Sequence, residues 1–125
     1  MRASEPRAPR AHTWFRTVSD LPSILENPAL HRAIIAYASD YTLLGTSALP
    51  HGLSWMRGEL VGASLDHAIW FHEVPDMSDW ILYDTYSPWS GDARGYNRGS
   101  LWSRDGKLIA STAQEGLMRI RRDRK

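Results

Sequence analysis

The chain contains no cysteine. That removes disulfides, thiolate metal sites and cysteine nucleophiles together. It agrees with a reducing compartment, so a cytoplasmic location is expected. No apolar run approaches the roughly 20 residues a membrane helix needs. Met1–Ala11 lacks the apolar stretch of a secretory signal, and the closing residues Asp123, Arg124 and Lys125 are not the Ser-Lys-Leu peroxisomal address. Charge of one sign is also missing. The 15 basic and 14 acidic residues nearly cancel, so nothing global demands a nucleic-acid or membrane partner. There is no Gly-x-Ser-x-Gly elbow, no phosphate-binding glycine loop and no internal repeat. A length of 125 residues fits one domain with one core.

What is present begins with a short strand from His12 to Val18, after a Pro- and Arg-rich tail expected to be disordered. Asn27 and Pro28 signal a helix start, an N-cap acceptor followed by proline at the first helical position. Leu30, Ile34, Tyr37, Tyr41 and Leu44 then recur at helical spacing as one apolar stripe, flanked by Ala33 and Ala38, with Gly45 as C-cap. Pro50–Gly52 reads as a turn, and everything after it as strand: Leu60–His72, Asp79–Ser87, Ala93–Ser103 and Lys107–Ile120. Asp105-Gly106 between the last two calls for a tight type I′ hairpin. One early helix and several later antiparallel strands make an α+β domain, the helix laid across one sheet face. The expected divisions are a tail over 1–11, the domain over 12–120 and a basic tail over 121–125.

Three polar residues stand at positions where chemistry could be done. Asp40 falls on the border of the helix stripe, near the helix C-terminus. The helix dipole disfavours an anion there, and partial burial does the same, which makes a carboxylate a better general base. It could equally be a boundary aspartate bonded to a nearby backbone N–H. Gln114 lies in the middle of the apolar face of the last strand, with Leu108, Ala110, Thr112, Gly116, Met118 and Ile120. A buried amide there either holds a water or substrate carbonyl or is satisfied structurally. Gly116 leaves space on the same face for a ligand or for the helix. Ser64 is a weaker candidate, a water-orienting hydroxyl or a strand-edge serine.

Other groups lead less far. On one continuous strand Ser64, Asp66, Trp70 and His72 share a face, and Leu65, His67, Ile69 and Phe71 the other. Ser64, Asp66 and His67 are too close along a strand to form a nucleophile–base–orienter triad. His67 and His72 would face opposite ways and cannot jointly bind a metal, so no metal site is expected. Six tryptophans invite a nucleic-acid stacking platform. Basic residues do not interleave with them, and core or interface packing is the better account. Arg94, Arg98 and Arg119–Lys125 could meet phosphates or form a solvated edge.

The segments WFR (Trp14–Arg16), PALHRAIIAYASDYTLLGT (Pro28–Thr46), ASLDHAIWFH (Ala63–His72), DWILYDTYSP (Asp79–Pro88), ARGYNRG (Ala93–Gly99) and AQEGLMR (Ala113–Arg119) occur in an order that resembles the C-terminal half of the acyl-CoA thioesterase II family. The resemblance implies a hotdog fold and a thioester hydrolase. It also implies that Asp40, Ser64 and Gln114 together orient the hydrolytic water, with Asp40 as base and no acyl-enzyme. It passes over Asp66. Coenzyme A would be part of the substrate, with no separate cofactor, and the substrate-binding residues are not identified. Family members usually carry two fused hotdogs, so a homodimer, a dimer of dimers or a partner hotdog chain is expected. Glu73, Trp89 and Asp92 depart from the family pattern, so an acyl-CoA substrate or a thioester on a carrier protein both fit. A non-hydrolytic hotdog module, or one half of a heteromeric enzyme, is the alternative.

Overall fold

The computed structural model describes residues 6–41, 43–52 and 60–120. In chain order these form β1 (Arg10–Phe15), α1 (Pro28–Tyr41), a 3-10 segment (Leu44–His51), β2 (Leu60–Ser64), β3 (Ala68–Phe71), β4 (Ile81–Gly91), β5 (Arg94–Ser103) and β6 (Leu108–Ile120). The strands make one antiparallel sheet in the order β1-β4-β5-β6-β2, with β3 pairing farther along β6. The single long helix lies on one face of this sheet. The core sits between them: Ile35 from α1, Leu43 after it, Met77, and Ile81, Tyr83, Leu101, Ile109 and Ala110 from the sheet.

The helix begins as its sequence requires. Asn27 Oδ1 accepts the Leu30 N–H at 3.1 Å, and Pro28 opens the first turn. Its buried face differs from the expected stripe. His31, Ile35 and Ser39 are buried, whereas Tyr37 and Tyr41 are 80% and 83% exposed. Hydropathy alone favours the tyrosines, but a polar side chain goes inside when its hydrogen bonds are met there. Both ring nitrogens of His31 have partners, with Nε2 donating to the Pro22 carbonyl at 2.7 Å and Nδ1 accepting the Met77 N–H at 3.0 Å. Leu44 and Gly45 lie beyond α1, in a 3-10 segment the hydrophobic spacing did not reveal. That segment rests on the in-register pair Gly95 and Gly116. A Cβ on Gly116 would stand 2.4 Å from Leu44 Cδ1, and one on Gly95 2.2 Å from Ser47 Oγ. The space at Gly116 is therefore filled by Leu44.

The tight two-residue hairpin expected at Asp105-Gly106 forms instead at Asp92-Ala93. At Gly91–Arg94 both central residues, Asp92 and Ala93, have positive φ (51° and 59°), as a two-residue type I′ hairpin demands. At the Asp-Gly site only Gly106 is left-handed, and its N–H donates to the Ser103 carbonyl at 3.0 Å. A longer loop with a glycine bulge follows, because Ser103 also pairs with Lys107 at 2.9 Å. At the termini, Met1–Glu5 and the basic stretch 121–125 lie outside the described residues, and the strand starts earlier than expected. Arg10 and Ala11 already pair with Tyr86 and Thr85 in β4, and the Arg7 N–H donates to the Leu49 carbonyl at 2.8 Å.

Candidate active site

The expected continuous strand Leu60–His72 is two strands, and the break builds the site. Ser64 pairs with Gly116 and Ala68 with Ala113. Four steps along one chain therefore oppose three along β6, so one extra residue is inserted. Such a bulge reverses which face the following side chains take. Ser64 on β2 and Ile69 and Phe71 on β3 consequently share the inner face, and His67 in the bulge turns inward with them. The Leu65 and Asp66 N–H groups both reach the Glu115 carbonyl, at 2.9 and 3.3 Å, and Asp66 Oδ1 accepts the Glu115 N–H at 2.7 Å. Asp66 thus pins the bulge to β6 and points away from the pocket. His72, on the outer face, meets Ser111 Oγ at 2.9 Å.

Inside the bulge, a chain of hydrogen bonds joins helix to sheet. Ser64 Oγ donates to Asp40 Oδ1 at 3.2 Å. Gln114 Nε2 donates to Ser64 Oγ at 2.8 Å. Gln114 Oε1 lies 2.5 Å from His67 Nδ1, and His67 Nε2 lies 2.9 Å from Ser39 Oγ. Asp40, Ser64 and Gln114 therefore meet in one connected group. His67 touches Ser39 and Gln114 rather than Ser64, so no nucleophile triad forms. The group grades from wet to dry: the Asp40 side chain is 48% exposed, that of His67 18%, and Gln114 1%. An acceptor that water can reach at one end, backed by a sealed amide at the other, can seat one water and take its proton.

Tyr83 sets the depth of α1 over this group. Its hydroxyl donates to the Ser39 carbonyl at 2.8 Å and meets Thr112 Oγ1 at 2.8 Å. The Ser39 carbonyl belongs to the last turn of the helix, where carbonyls lack intrahelical partners. Burial pushes the Tyr83 hydroxyl well above its ordinary range and the charge of Asp40 adds to the shift, while the Thr112 bond opposes it. Tyr83 is therefore a proton donor at any physiological pH. Asp40, one residue beyond Ser39 and about 100° around the helix, is carried to the rim of the buried face.

His67, Ser39 and Tyr83 escaped the sequence reading. A signal for His67 existed. Ser64 can face Gln114 while Ile69 and Phe71 face the core only if the strand changes parity between them. The arginines considered as phosphate ligands divide. Arg94 bonds Glu115 at 2.9 Å and lies over the Trp89 ring, 5.4 Å from its centre, whereas Arg98 is exposed on the outer face of β5.

The helix on a broken-edge antiparallel sheet, with an acid–hydroxyl–amide group under the helix end, defines a hotdog domain. Solved structures agree. An acyl-CoA thioesterase II from Mycobacterium marinum superposes with a TM-score of 0.80 at 38% identity, over 93% of this chain and 43% of that one. The sequence profile of the acyl-CoA thioesterase family matches residues 6–117, and the chain belongs to that family. It is 44% identical over 92 residues to human acyl-coenzyme A thioesterase 8, which covers 74% of this chain and 28% of that protein. It is 34% identical over 109 residues to acyl-CoA thioesterase 2 of Haemophilus influenzae, covering 87% and 37%. The chain thus spans well under half the length of the curated relatives it matches.

Proposed function

We propose that this chain hydrolyses acyl-CoA thioesters to free acid and coenzyme A, with Asp40 as general base. The observation that carries the reading is the Asp40–Ser64–Gln114 hydrogen-bonded group, open to water at Asp40 and Ser64 and sealed at Gln114. Ser64 and Gln114 hold a water beside Asp40. The water oxygen attacks the thioester carbonyl carbon while Asp40 takes its proton. The tetrahedral intermediate collapses, the carbon–sulfur bond breaks, and the proton on Asp40 passes to the departing thiolate. Water and thioester become carboxylic acid and thiol, with no acyl-enzyme. Coenzyme A enters as part of the substrate.

The same proposal makes the working unit a homodimer in cytoplasmic lipid metabolism. Among the described residues β2 and β3 form one edge of the sheet. Ser64 and His67 lie on that edge, and Trp70 of β3 is 54% exposed. A second copy there would close the edge and wall the site. Sedimentation is expected to give twice the mass of one chain, and a single-chain mass would reject the dimer.

Thiol release from a panel of short to long acyl-CoAs tests the chemistry. Asp40→Asn is expected to lower turnover by about 10²–10⁴-fold, the usual share of a general base. Equal turnover in both proteins would remove Asp40 from the mechanism. A folded wild type that releases no thiol would point to the non-hydrolytic module.

A further inference from the structure

Placing the protons of the hydrogen-bonded group fixes the state of His67. Ser64 carries one hydroxyl proton and stands between Asp40 Oδ1, at 3.2 Å, and the Gln114 amide, at 2.8 Å. An ionised carboxylate can only accept. The proton of Ser64 therefore goes to Asp40, and the Ser64 oxygen accepts from the Gln114 NH₂. This turns Gln114 Oε1 toward His67 Nδ1, at 2.5 Å. An amide oxygen also only accepts, so the imidazole must hold a proton on Nδ1.

The far side of the ring permits this. Ser39 Oγ lies 2.9 Å from Nε2 and 2.9 Å from the Ala36 carbonyl. It donates to Nε2 when the ring is neutral and to Ala36 when the ring is charged, and both arrangements are satisfied. With the amide reversed, Ser64 would give its proton to Gln114, Asp40 would face a lone pair, and His67 Nδ1 would have to accept. The tautomer of one histidine and the direction of the whole chain are thus one choice.

We infer that His67, protonated on Nδ1, is a positioning residue that locks the Gln114 amide with its NH₂ toward Ser64 and so keeps the Ser64 proton on Asp40. The inference about turnover rests on the thioesterase reading; the tautomer does not.

Nitrogen NMR of the histidine rings in the full chain reads the tautomer directly, with the His67→Asn spectrum identifying the signal. A protonated Nδ1 is expected. A neutral ring protonated on Nε2 alone would overturn the inference, whether or not any thioester is hydrolysed. Turnover supplies the second test. His67→Asn puts an amide NH₂ close to where Nδ1–H stood, whereas His67→Gln puts its amide near Nε2 and leaves no donor toward Gln114. His67→Gln is expected to lower kcat by about 10²-fold, as a displaced reacting group does, and His67→Asn to recover most of that loss. Equal losses in two folded variants, or no loss in either, would overturn the positioning role. If His67→Gln fails to fold, the wild-type tautomer decides. Absence of turnover with Nδ1 protonated would reject the proposed function alone.

Discussion

His31 lies in the first turn of α1 and His67 packs against its last turn, and both have a partner on each ring nitrogen. Their partners differ in kind. His31 is bonded only to backbone, the Pro22 carbonyl and the Met77 N–H, so its tautomer is set by the course of the chain. His67 is bonded to side chains, the Ser39 hydroxyl and the Gln114 amide, each of which can turn, and its Nδ1 also lies 3.7 Å from Asp40 Oδ1. A histidine fixed by backbone is a structural bolt. One held by rotatable groups belongs to a network whose direction can be chosen, and such a network suits proton handling. Identical residue type therefore gives no guide to role; the chemistry of the partners does.

The contrast can be broken from either end. The largest effect is expected from Gln114→Leu, which empties the centre of the His67 network. Turnover should fall by about 10²–10³-fold, the usual consequence of losing one positioned donor, with a small change in melting temperature. A stability loss large enough to explain the activity loss would make Gln114 a structural amide instead.

His31→Leu should behave in the opposite way. It orphans the buried Met77 N–H, at about 1–3 kcal/mol, removes the partner of the Pro22 carbonyl in an exposed loop, and should lower the melting temperature by roughly 3–10 °C. Turnover per folded molecule should hold, as active-fraction assays below the transition would reveal. A specific loss of kcat would erase the distinction between the two histidines.

Tyr83→Phe probes the link between the ends. Losing the bond to the Ser39 carbonyl should cost about 1–2 kcal/mol. In the wild type the folded state holds the Tyr83 proton more tightly than the unfolded chain does. The resulting stability is complete below the ordinary tyrosine value of 10.0 and is lost as pH rises through and above it. Denaturant titrations from pH 8 upward should therefore show a steep alkaline decline in the wild type and a shallower one in Tyr83→Phe. Parallel curves would mean the tyrosine proton does not matter to folding.

The smallest effect belongs to Asp66→Ala. The single bond to the Glu115 N–H is worth about 0.5–1.5 kcal/mol, and turnover should change little. A collapse matching that of Asp40→Asn would return Asp66 to the chemistry.

Much of this was legible beforehand. Asn27-Pro28 announced the helix because capping is a local property of a few residues. The positions of β4, β5 and β6 followed from alternation and turn residues, which are local too. Asp40, Ser64 and Gln114 were singled out and do meet, although composition could not have joined a helix end, an edge strand and a central strand. What misled was period-based reading where tertiary contacts prevailed. The helix turns its tyrosines outward because His31 and Ser39 find partners inside. The hairpin chosen for Asp105-Gly106 formed at Asp92-Ala93, where strand register demands two positive φ values. The parity rule set Ser64 on the face opposite His67, Ile69 and Phe71 because it assumes an uninterrupted strand.

The sequence by itself determined the α+β class of the domain, the helix start and the run of antiparallel strands, since each rests on neighbours within a turn or a strand, and it marked the three polar residues of the site through the resemblance of its motifs. Only the tertiary structure decided the face of the helix, the one-residue bulge at Leu65–His67 and the partners of the two histidines. Those depend on which backbone atoms from distant segments arrive within hydrogen-bonding distance, and no local pattern carries that information.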